Sequence, residues 1–182
     1  MNSWDDPEQV SATRLEQLGF ERVGTIRDKT LTRRSKEIRR PHFCLSKTKP
    51  IRVPSTYLWA MSPTSQTHDS LWRIIYVGAT LSGFVSRVGN HHQALAAHIN
   101  RGCVEKGAGK HASKLLEHAQ DPQSDLAIFE RPSDHIMVYG EAVPATFTEE
   151  QAFIRMLKPI INRPKDWPAP APCTSGAICL FS

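Results

Sequence analysis

The run Leu71-Trp72-Arg73-Ile74-Ile75-Tyr76-Val77-Gly78 is rich in β-branched and aromatic residues, the composition of a buried strand. A second run of the same kind, Thr56-Tyr57-Leu58-Trp59-Ala60-Met61, lies upstream, beyond a polar loop over 62–70. Two such runs joined by a loop predict an antiparallel hairpin with a long connection. This hairpin would make Tyr57 and Tyr76 residues of neighbouring strands.

Helix and strand signals alternate on both sides of this hairpin. The patterns predict helices over Pro7–Leu18 (N-cap Asp6, Gly19 just past its end), 83–100, 111–120 and Thr148–Leu157, and strands over Phe20–Ile26, Asp125–Phe129 and His135–Tyr139. In the last helix, Thr148 and Gln151 fit a capping box and Pro159 marks the stop. Together the elements predict an α+β fold with a small, mainly antiparallel β-sheet flanked by helices.

Length and composition indicate one soluble domain. The chain has 182 residues, of which 40% are hydrophobic and 23% charged. Its apolar runs are too short for a membrane-spanning helix, and its acidic N-terminus does not resemble a secretory signal. The irregular spacing of the four cysteines indicates free thiols in a reducing compartment, with a Cys173–Cys179 pair near the C-terminus as the alternative. We therefore expect a cytoplasmic protein with no membrane partner.

The positive charge is concentrated in one segment. Arg27–Arg52 contains ten Lys and Arg against two acidic residues, a net charge of +8 within a chain of net +5. A solvated charged hairpin would explain such a run, but so would binding to a polyanion. The candidate DNA-binding residues are Arg33, Arg34, Lys36, Arg39, Arg40, Lys47 and Lys49.

Two helices carry side chains suited to phosphate chemistry. Glu150 shares a stripe with the apolar side chains of the last predicted helix, whereas Glu149 is expected to point away. A carboxylate on a buried face needs a cation or metal, although it could instead serve the helix dipole. Arg87 and His91 are four residues apart and share a helix face, which suits phosphate binding and proton transfer or a plain solvated surface.

In their order and spacing these residues resemble the GIY-YIG nuclease family. Thr56-Tyr57-Leu58 stands at the GIY triplet and Tyr76-Val77-Gly78 at the YIG triplet, while Arg87 and His91 match the family's Arg-x-x-x-His. The segment from Glu150 to Asn162, with Ile154, Lys158 and Pro159 between them, matches the closing motif and is the most specific part. The resemblance spans 106 residues, from Tyr57 to Asn162. The chain departs from the family pattern at Thr56, in the long connection over 62–70, and at Gly89 inside the Arg–His turn.

The resemblance implies a mechanism and a set of site residues. Members of the family hydrolyse phosphodiesters with one divalent metal, Mg2+ or Mn2+. By analogy Glu150 would bind the metal and Arg87 would neutralise phosphate charge, while Tyr57 would position the attacking water. Tyr76 and His91 would contact that tyrosine, and Asn162 would fasten the end of the helix. Which group acts as the general base stays open.

The extensions around the core resemble those of the family's compact type II restriction endonucleases. Only 56 residues precede Tyr57 and 20 follow Asn162, so we expect an N-terminal extension (1–55), a nuclease core (56–162) and a Pro-rich tail (163–182). The expected activity is metal-dependent, sequence-specific cleavage of double-stranded DNA, with a homodimer needed for a palindromic double-strand cut. A less specific toxin or mobile-element nuclease, and a binding module without catalysis, are the alternatives.

Overall fold

A computed structural model describes residues 9–33, 36–45, 53–63, 71–84, 87 and 124–162 of the chain. In these ranges the elements are β1 (Gln9–Ser11), α1 (Ala12–Gln17), β2 (Glu21–Arg33), β3 (Lys36–Leu45), β4 (Ser55–Pro63), β5 (Leu71–Thr80), β6 (Ser124–Pro132), β7 (His135–Val138), β8 (Glu141–Pro144) and α2 (Thr146–Leu157). No helix in these ranges has both the length and the apolar character needed to cross a bilayer.

Six of the strands form one sheet in the order β1-β5-β4-β6-β2-β3, and every neighbouring pair is antiparallel. The predicted hairpin forms its centre, where Tyr57 pairs with Gly78 and Trp59 with Tyr76. α2 packs against β5 and β4. The α+β prediction is therefore confirmed. Strands from both sides of the predicted boundary at residue 55 share this sheet.

The sheet buries a different cluster on each face. One, here called the tyrosine face, consists of Tyr57, Trp59, Ile75, Tyr76, Phe84, Leu126, Ile128 and Ile161. The other, called the helix face, includes Leu58, Ala60, Ile74, Val77, Ala127 and Phe129, covered by Phe153, Ile154 and Leu157 of α2. A register shift after Trp59 places both Ile75 and Tyr76 in the tyrosine-face cluster. Each large apolar side chain buried in these clusters contributes roughly 1.5–3 kcal/mol.

The first helix begins later than predicted. Gln9–Ser11 is a strand paired with Leu71–Arg73, and α1 begins after it, with Ser11 as the N-cap accepting from Arg14 N at 3.1 Å. Pairing with β5 therefore prevails over the local helix signal in these three residues. The predicted N-cap Asp6 lies outside the described residues. The stop signal is confirmed, because Gly19 follows the helix with a φ of 81°.

The last helix also begins earlier than predicted. α2 starts at Thr146 after Ala145, and no side chain caps it, so the capping box is wrong. Its predicted end is confirmed, because Lys158 adopts a left-handed conformation (φ 44°) directly before Pro159. The helix thus begins two residues before the predicted Thr148, and Glu149 lies in its first turn.

The described part of the basic segment lies in a long two-stranded ribbon. β2 pairs with β6 from Glu21 to Ile26, and with β3 from Gly24 to Arg33. Beyond Ile26, β3 is therefore its partner among the described strands. The predicted strand over Phe20–Ile26 is too short, because the pairing with β3 continues into the charged residues. Four of the candidate DNA-binding residues lie on the two strands of this ribbon: Arg33, Lys36, Arg39 and Arg40.

Other predictions fall partly or wholly outside the described residues. Arg34, Lys47, Lys49 and His91 belong to this group, as do the helix over 111–120 and the tail over 163–182. Within the helix predicted over 83–100, Phe84 and Arg87 are described and both are helical. The two later predicted strands are confirmed as β6 and β7. β7 turns into β8 through Tyr139 and Gly140, whose φ values of 49° and 86° suit a tight hairpin turn.

Candidate active site

Tyr57 and Tyr76 approach each other on the tyrosine face, with ring centroids 6.1 Å apart. Gly78 lies opposite Tyr57 in the β4–β5 register. A Cβ atom at Gly78 would be 2.5 Å from the Tyr57 hydroxyl oxygen and 2.7 Å from the Tyr76 ring. No larger residue fits there without displacing a tyrosine. The Tyr-x-Gly motif therefore has a steric reason, since glycine leaves the space that both rings occupy.

The two hydroxyl groups are hydrogen-bonded to each other. This bond raises the pKa of Tyr57 and lowers that of Tyr76. Burial is the largest cause raising both values, and it holds the pKa of Tyr57 well above its usual 10. Both phenols are consequently protonated at neutral pH. Tyr57 has no exposed surface and Tyr76 is 8% exposed, so solvent reaches Tyr76 more readily.

Arg87 joins this pair from the segment that follows β5. Its guanidinium hydrogen-bonds the Tyr57 hydroxyl, and its charge lowers the pKa of both tyrosines, against the larger effect of burial. Its Nε is buried and has no hydrogen-bond acceptor among the residues that the structure describes. A buried donor without a partner is costly, and a phosphate oxygen would satisfy it. The environment of Arg87 thus fits an anion-binding role.

Glu150 completes the group from the first half of α2. Its charge is close enough to raise the pKa of Tyr76. Burial raises the pKa of Glu150 itself, while the charge of Arg87 opposes that shift. The structure therefore brings Tyr57, Tyr76 and Arg87 into a hydrogen-bonded group, with Glu150 in electrostatic range. The side chain of His91 lies outside the part of the chain that is described.

Glu149 does not point away from the protein, contrary to the prediction. Its carboxylate accepts from Arg131 Nη1 at 2.7 Å, from Asp134 N at 2.9 Å and from Thr56 Oγ1 at 3.4 Å. Arg131 also pairs with Asp134. The register explains the contact, because Thr56 and Arg131 lie opposite each other on β4 and β6. Glu149 thus ties α2 to the sheet, and its neighbour Glu150 remains available to the tyrosine face.

Asn162 joins the end of the chain after α2 to β5. Its side-chain amide donates to Val77 O at 2.6 Å, and its Oδ1 accepts from Val77 N at 2.8 Å. The preceding Ile160 and Ile161 donate to the backbone oxygens of Ile74 and Ile75. Asn162 therefore makes two hydrogen bonds to the backbone of Val77, between Tyr76 and Gly78, and these bonds stabilise the backbone beneath the tyrosine pair.

Glu130 is a carboxylate only 1% exposed, and it is not among the site residues predicted from the sequence. It accepts from Ser55 Oγ at 2.7 Å and from Phe84 N at 3.3 Å. A signal was available, because Glu130 is in phase with Leu126 and Ile128 and so belongs on the same buried face of β6. An acidic residue at such a position indicates a specific hydrogen-bonding role.

Comparisons with known proteins add little to this geometry. No family model and no curated protein sequence matches the chain. Among solved structures, the fold is similar to that of a mutant of bacteriophage T4 EndoII, with a TM-score of 0.47 and 15% identity. The alignment covers 82% of this chain and 96% of that one. A likeness of this degree carries no argument about function, so the functional assignment depends on the site itself.

Proposed function

We propose that this protein is a divalent-metal-dependent endonuclease that hydrolyses phosphodiester bonds in double-stranded DNA. The main support is the grouping of Tyr57, Tyr76, Arg87 and Glu150 around one end of the β4–β5 pair. Each of these side chains occupies the position that the resemblance to GIY-YIG nucleases assigns to a catalytic residue. Their convergence is not a consequence of sequence order, because they come from four separate elements.

Arg87 is the group that binds the scissile phosphate in this proposal. Its buried Nε lacks an acceptor among the described residues, whereas the same guanidinium is held by the Tyr57 hydroxyl. A preorganised donor of this kind stabilises charge that develops on the non-bridging oxygens. Because the arginine is already oriented, little reorganisation is needed when the phosphate binds.

The two tyrosines divide their roles according to their exposure. The resemblance gives the contact with the attacking water to Tyr57, but Tyr76 is the more accessible of the two, so we assign this contact to Tyr76 instead. Tyr57 is fully enclosed and holds both Tyr76 and Arg87 in place. Since burial raises the pKa of each phenol, positioning the water is favoured over accepting its proton. His91 is a further candidate for proton transfer on the strength of the resemblance.

Glu150 is the residue that would hold the metal. It is a half-buried carboxylate whose pKa is raised by burial, and a cation would compensate for that burial. The described residues contain no cluster of three or more His, Cys, Asp or Glu side chains that could hold a metal. One carboxylate with water molecules suits Mg2+ or Mn2+. When bound, such an ion supplies Lewis-acid activation of the phosphate and stabilises the leaving oxygen.

The β2–β3 ribbon is the proposed DNA-binding element. A two-stranded ribbon fits the major groove of DNA, and six of the ten Lys and Arg residues of Arg27–Arg52 lie on its two strands. Contacts of these residues to phosphates would make binding steeply salt-dependent. Base recognition by the ribbon would make the enzyme a sequence-specific restriction or defence nuclease. A homodimer on DNA would then cut both strands of a palindromic site.

Incubation with plasmid DNA tests this function directly. We expect cleavage with Mg2+ or Mn2+, none with a chelator, and recovery when the metal is added back. Discrete fragments would support sequence-specific cleavage, and sequencing of their ends would give the site. A smear would instead indicate a less specific nuclease. Salt-sensitive binding without metal-dependent cleavage, on a broad panel of DNAs, would contradict the proposal in favour of a binding module.

A further inference from the structure

Glu130 is a buried carboxylate close to the active site, and it is not one of the motif residues that carry the resemblance. It lies directly opposite Tyr57 in the β4–β6 register and is 1% exposed. Its Oε1 accepts from Ser55 Oγ at 2.7 Å and from Phe84 N at 3.3 Å. Neither donor carries a charge. An apolar residue would be accommodated at this position at a lower desolvation cost, so the carboxylate calls for an explanation.

The bond to Phe84 connects Glu130 to the segment that carries Arg87. Phe84 and Arg87 are both helical and stand three residues apart in the sequence. The turn before Phe84 is fixed by Thr80, whose Oγ1 accepts from Ser82 N and donates to Gly83 O, both at 3.3 Å. Glu130 therefore fixes the point at which the chain leaves this turn and starts towards Arg87.

The same contact also reaches the tyrosine pair. The ring of Phe84 packs against that of Tyr57, with centroids 5.1 Å apart. A shift of Phe84 would move its ring, which contacts the ring of Tyr57. It would also move the start of the backbone segment that leads to Arg87, and so change the position of Arg87 relative to the Tyr57 hydroxyl. The hydrogen bond between Arg87 and Tyr57 depends on both of these placements.

We propose that Glu130 is a positioning residue, whose carboxylate anchors the backbone of Phe84 so that Arg87 meets the Tyr57 hydroxyl. The kinetic consequence rests on the proposed nuclease function, whereas the structural consequence does not. What matters is an oxygen that accepts the Phe84 N–H. The negative charge is not required, since a neutral oxygen in the same place can accept both bonds.

Two variants of Glu130 separate the acceptor from the rest of the side chain. Glu130→Gln keeps an oxygen, and Glu130→Met has similar length but no acceptor for the Phe84 N–H. We expect the Gln variant to retain kcat within about threefold, and the Met variant to lose about 10- to 100-fold in kcat with KM changed less than about threefold. Phe129→Leu is the control, because it perturbs the same strand on the helix face.

Two kinetic outcomes would overturn the proposal. If Glu130→Met keeps the kcat of Phe129→Leu, the carboxylate does not position the site. If Glu130→Gln loses as much as Glu130→Met, the charge matters and the acceptor role is wrong. A general loss of stability would not lower kcat in Glu130→Met while leaving kcat of Glu130→Gln near that of the wild type.

A second readout does not depend on cleavage. The chain has three tyrosines, so NMR of isotope-labelled tyrosine gives three ring signals that Tyr→Phe variants can assign. We expect the Tyr57 signal to move in Glu130→Met and not in Glu130→Gln, with the fully exposed Tyr139 as an internal reference. Ser55→Ala, which leaves the Phe84 bond in place, should move it less.

The two readouts distinguish failure of this inference from failure of the proposed function. If no DNA is cleaved by the wild type but the Tyr57 signal moves in Glu130→Met, the positioning role stands and the nuclease assignment falls. If DNA is cleaved and the Tyr57 signal stays fixed in Glu130→Met, the positioning role is wrong.

Discussion

Both faces of the central sheet carry charged side chains, but the hydrogen bonding of these side chains differs between the two faces. On the helix face, Glu149 accepts three hydrogen bonds and is paired with Arg131. On the tyrosine face, the buried Arg87 Nε has no acceptor among the described residues. Because the hydrogen bonds of Glu149 are all made within the protein, its role in stabilising the fold accounts for it. An oriented donor with unused capacity points to a ligand, and here the ligand is proposed to be a phosphate.

The comparison also assigns different roles to two adjacent glutamates. Glu149 and Glu150 follow each other on α2, but helical geometry directs their side chains about 100° apart. Glu149 is held by side chains and backbone of the sheet and its flanking loop, while Glu150 contributes charge next to Tyr76 and Arg87. Adjacent residues of the same type can thus serve the fold and the chemistry separately.

Removal of an arginine from each face should give the largest contrast. Arg87→Ala is expected to lower kcat about a thousandfold or more, because it deletes a preorganised donor to the phosphate. Arg131→Ala should change kcat less than about tenfold while lowering the free energy of unfolding by about 1–3 kcal/mol. Steady-state cleavage and urea unfolding of both variants provide the measurements. Equal losses of kcat would remove the distinction between the faces.

A methyl group at Gly78 should have the next largest effect. The added Cβ would lie 2.5 Å from the Tyr57 hydroxyl oxygen, so Gly78→Ala must displace a tyrosine. We expect a loss of about a hundredfold in kcat, the size of effect that a misplacement of about 1 Å produces. Ala79→Ser is the matched control at the next residue. Normal kcat in Gly78→Ala would show that the spacing of the rings is unimportant.

The pH dependence of stability should show a smaller effect of the buried carboxylates. Burial raises the pKa of Glu130 and of Glu150 above the unfolded-state value of about 4.3, so the folded protein retains protons that the unfolded chain releases. Stability from these groups therefore falls as pH rises from that value through the raised folded-state pKa. Glu130→Gln should gain stability relative to the wild type over this window and keep the difference above it.

Urea unfolding of the wild type and Glu130→Gln at a series of pH values measures this difference. The expected size is about 1.4 kcal/mol for each unit of pKa shift. A difference that does not change with pH would mean that Glu130 has an ordinary pKa in the folded protein.

The parts of the fold that were predictable depend on local periodicity. The strands around Tyr57 and Tyr76 and the end of α2 before Pro159 followed from residue type and spacing. The strand Gln9–Ser11 did not, because its three residues gain their hydrogen bonds from the distant β5. Likewise, the helical periodicity of α2 alone assigns Glu149 to the exposed side. The sheet register brings Arg131 to Glu149, and the sequence of the helix does not contain this contact.

The sequence indicated a set of candidate site residues, but the contacts among them could not be predicted from it. The enclosure of Tyr57 follows from packing against Phe84 and Gly78, and no sequence pattern gives the degree of burial. Glu130 illustrates the opposite case. Its phase on β6 marked it as inward-facing, but its partners Ser55 and Phe84 come from elements that only the folded sheet brings together.

The most direct test of the account compares Glu150→Gln with Glu149→Gln in a magnesium titration of plasmid cleavage. Both substitutions remove one negative charge from the same turn of α2, so they are matched in composition and in net charge. The account predicts that Glu149→Gln cleaves within about tenfold of the wild type, and that Glu150→Gln loses about a thousandfold or more at every magnesium concentration. Cleavage by Glu150→Gln at the wild-type rate and magnesium dependence would contradict it.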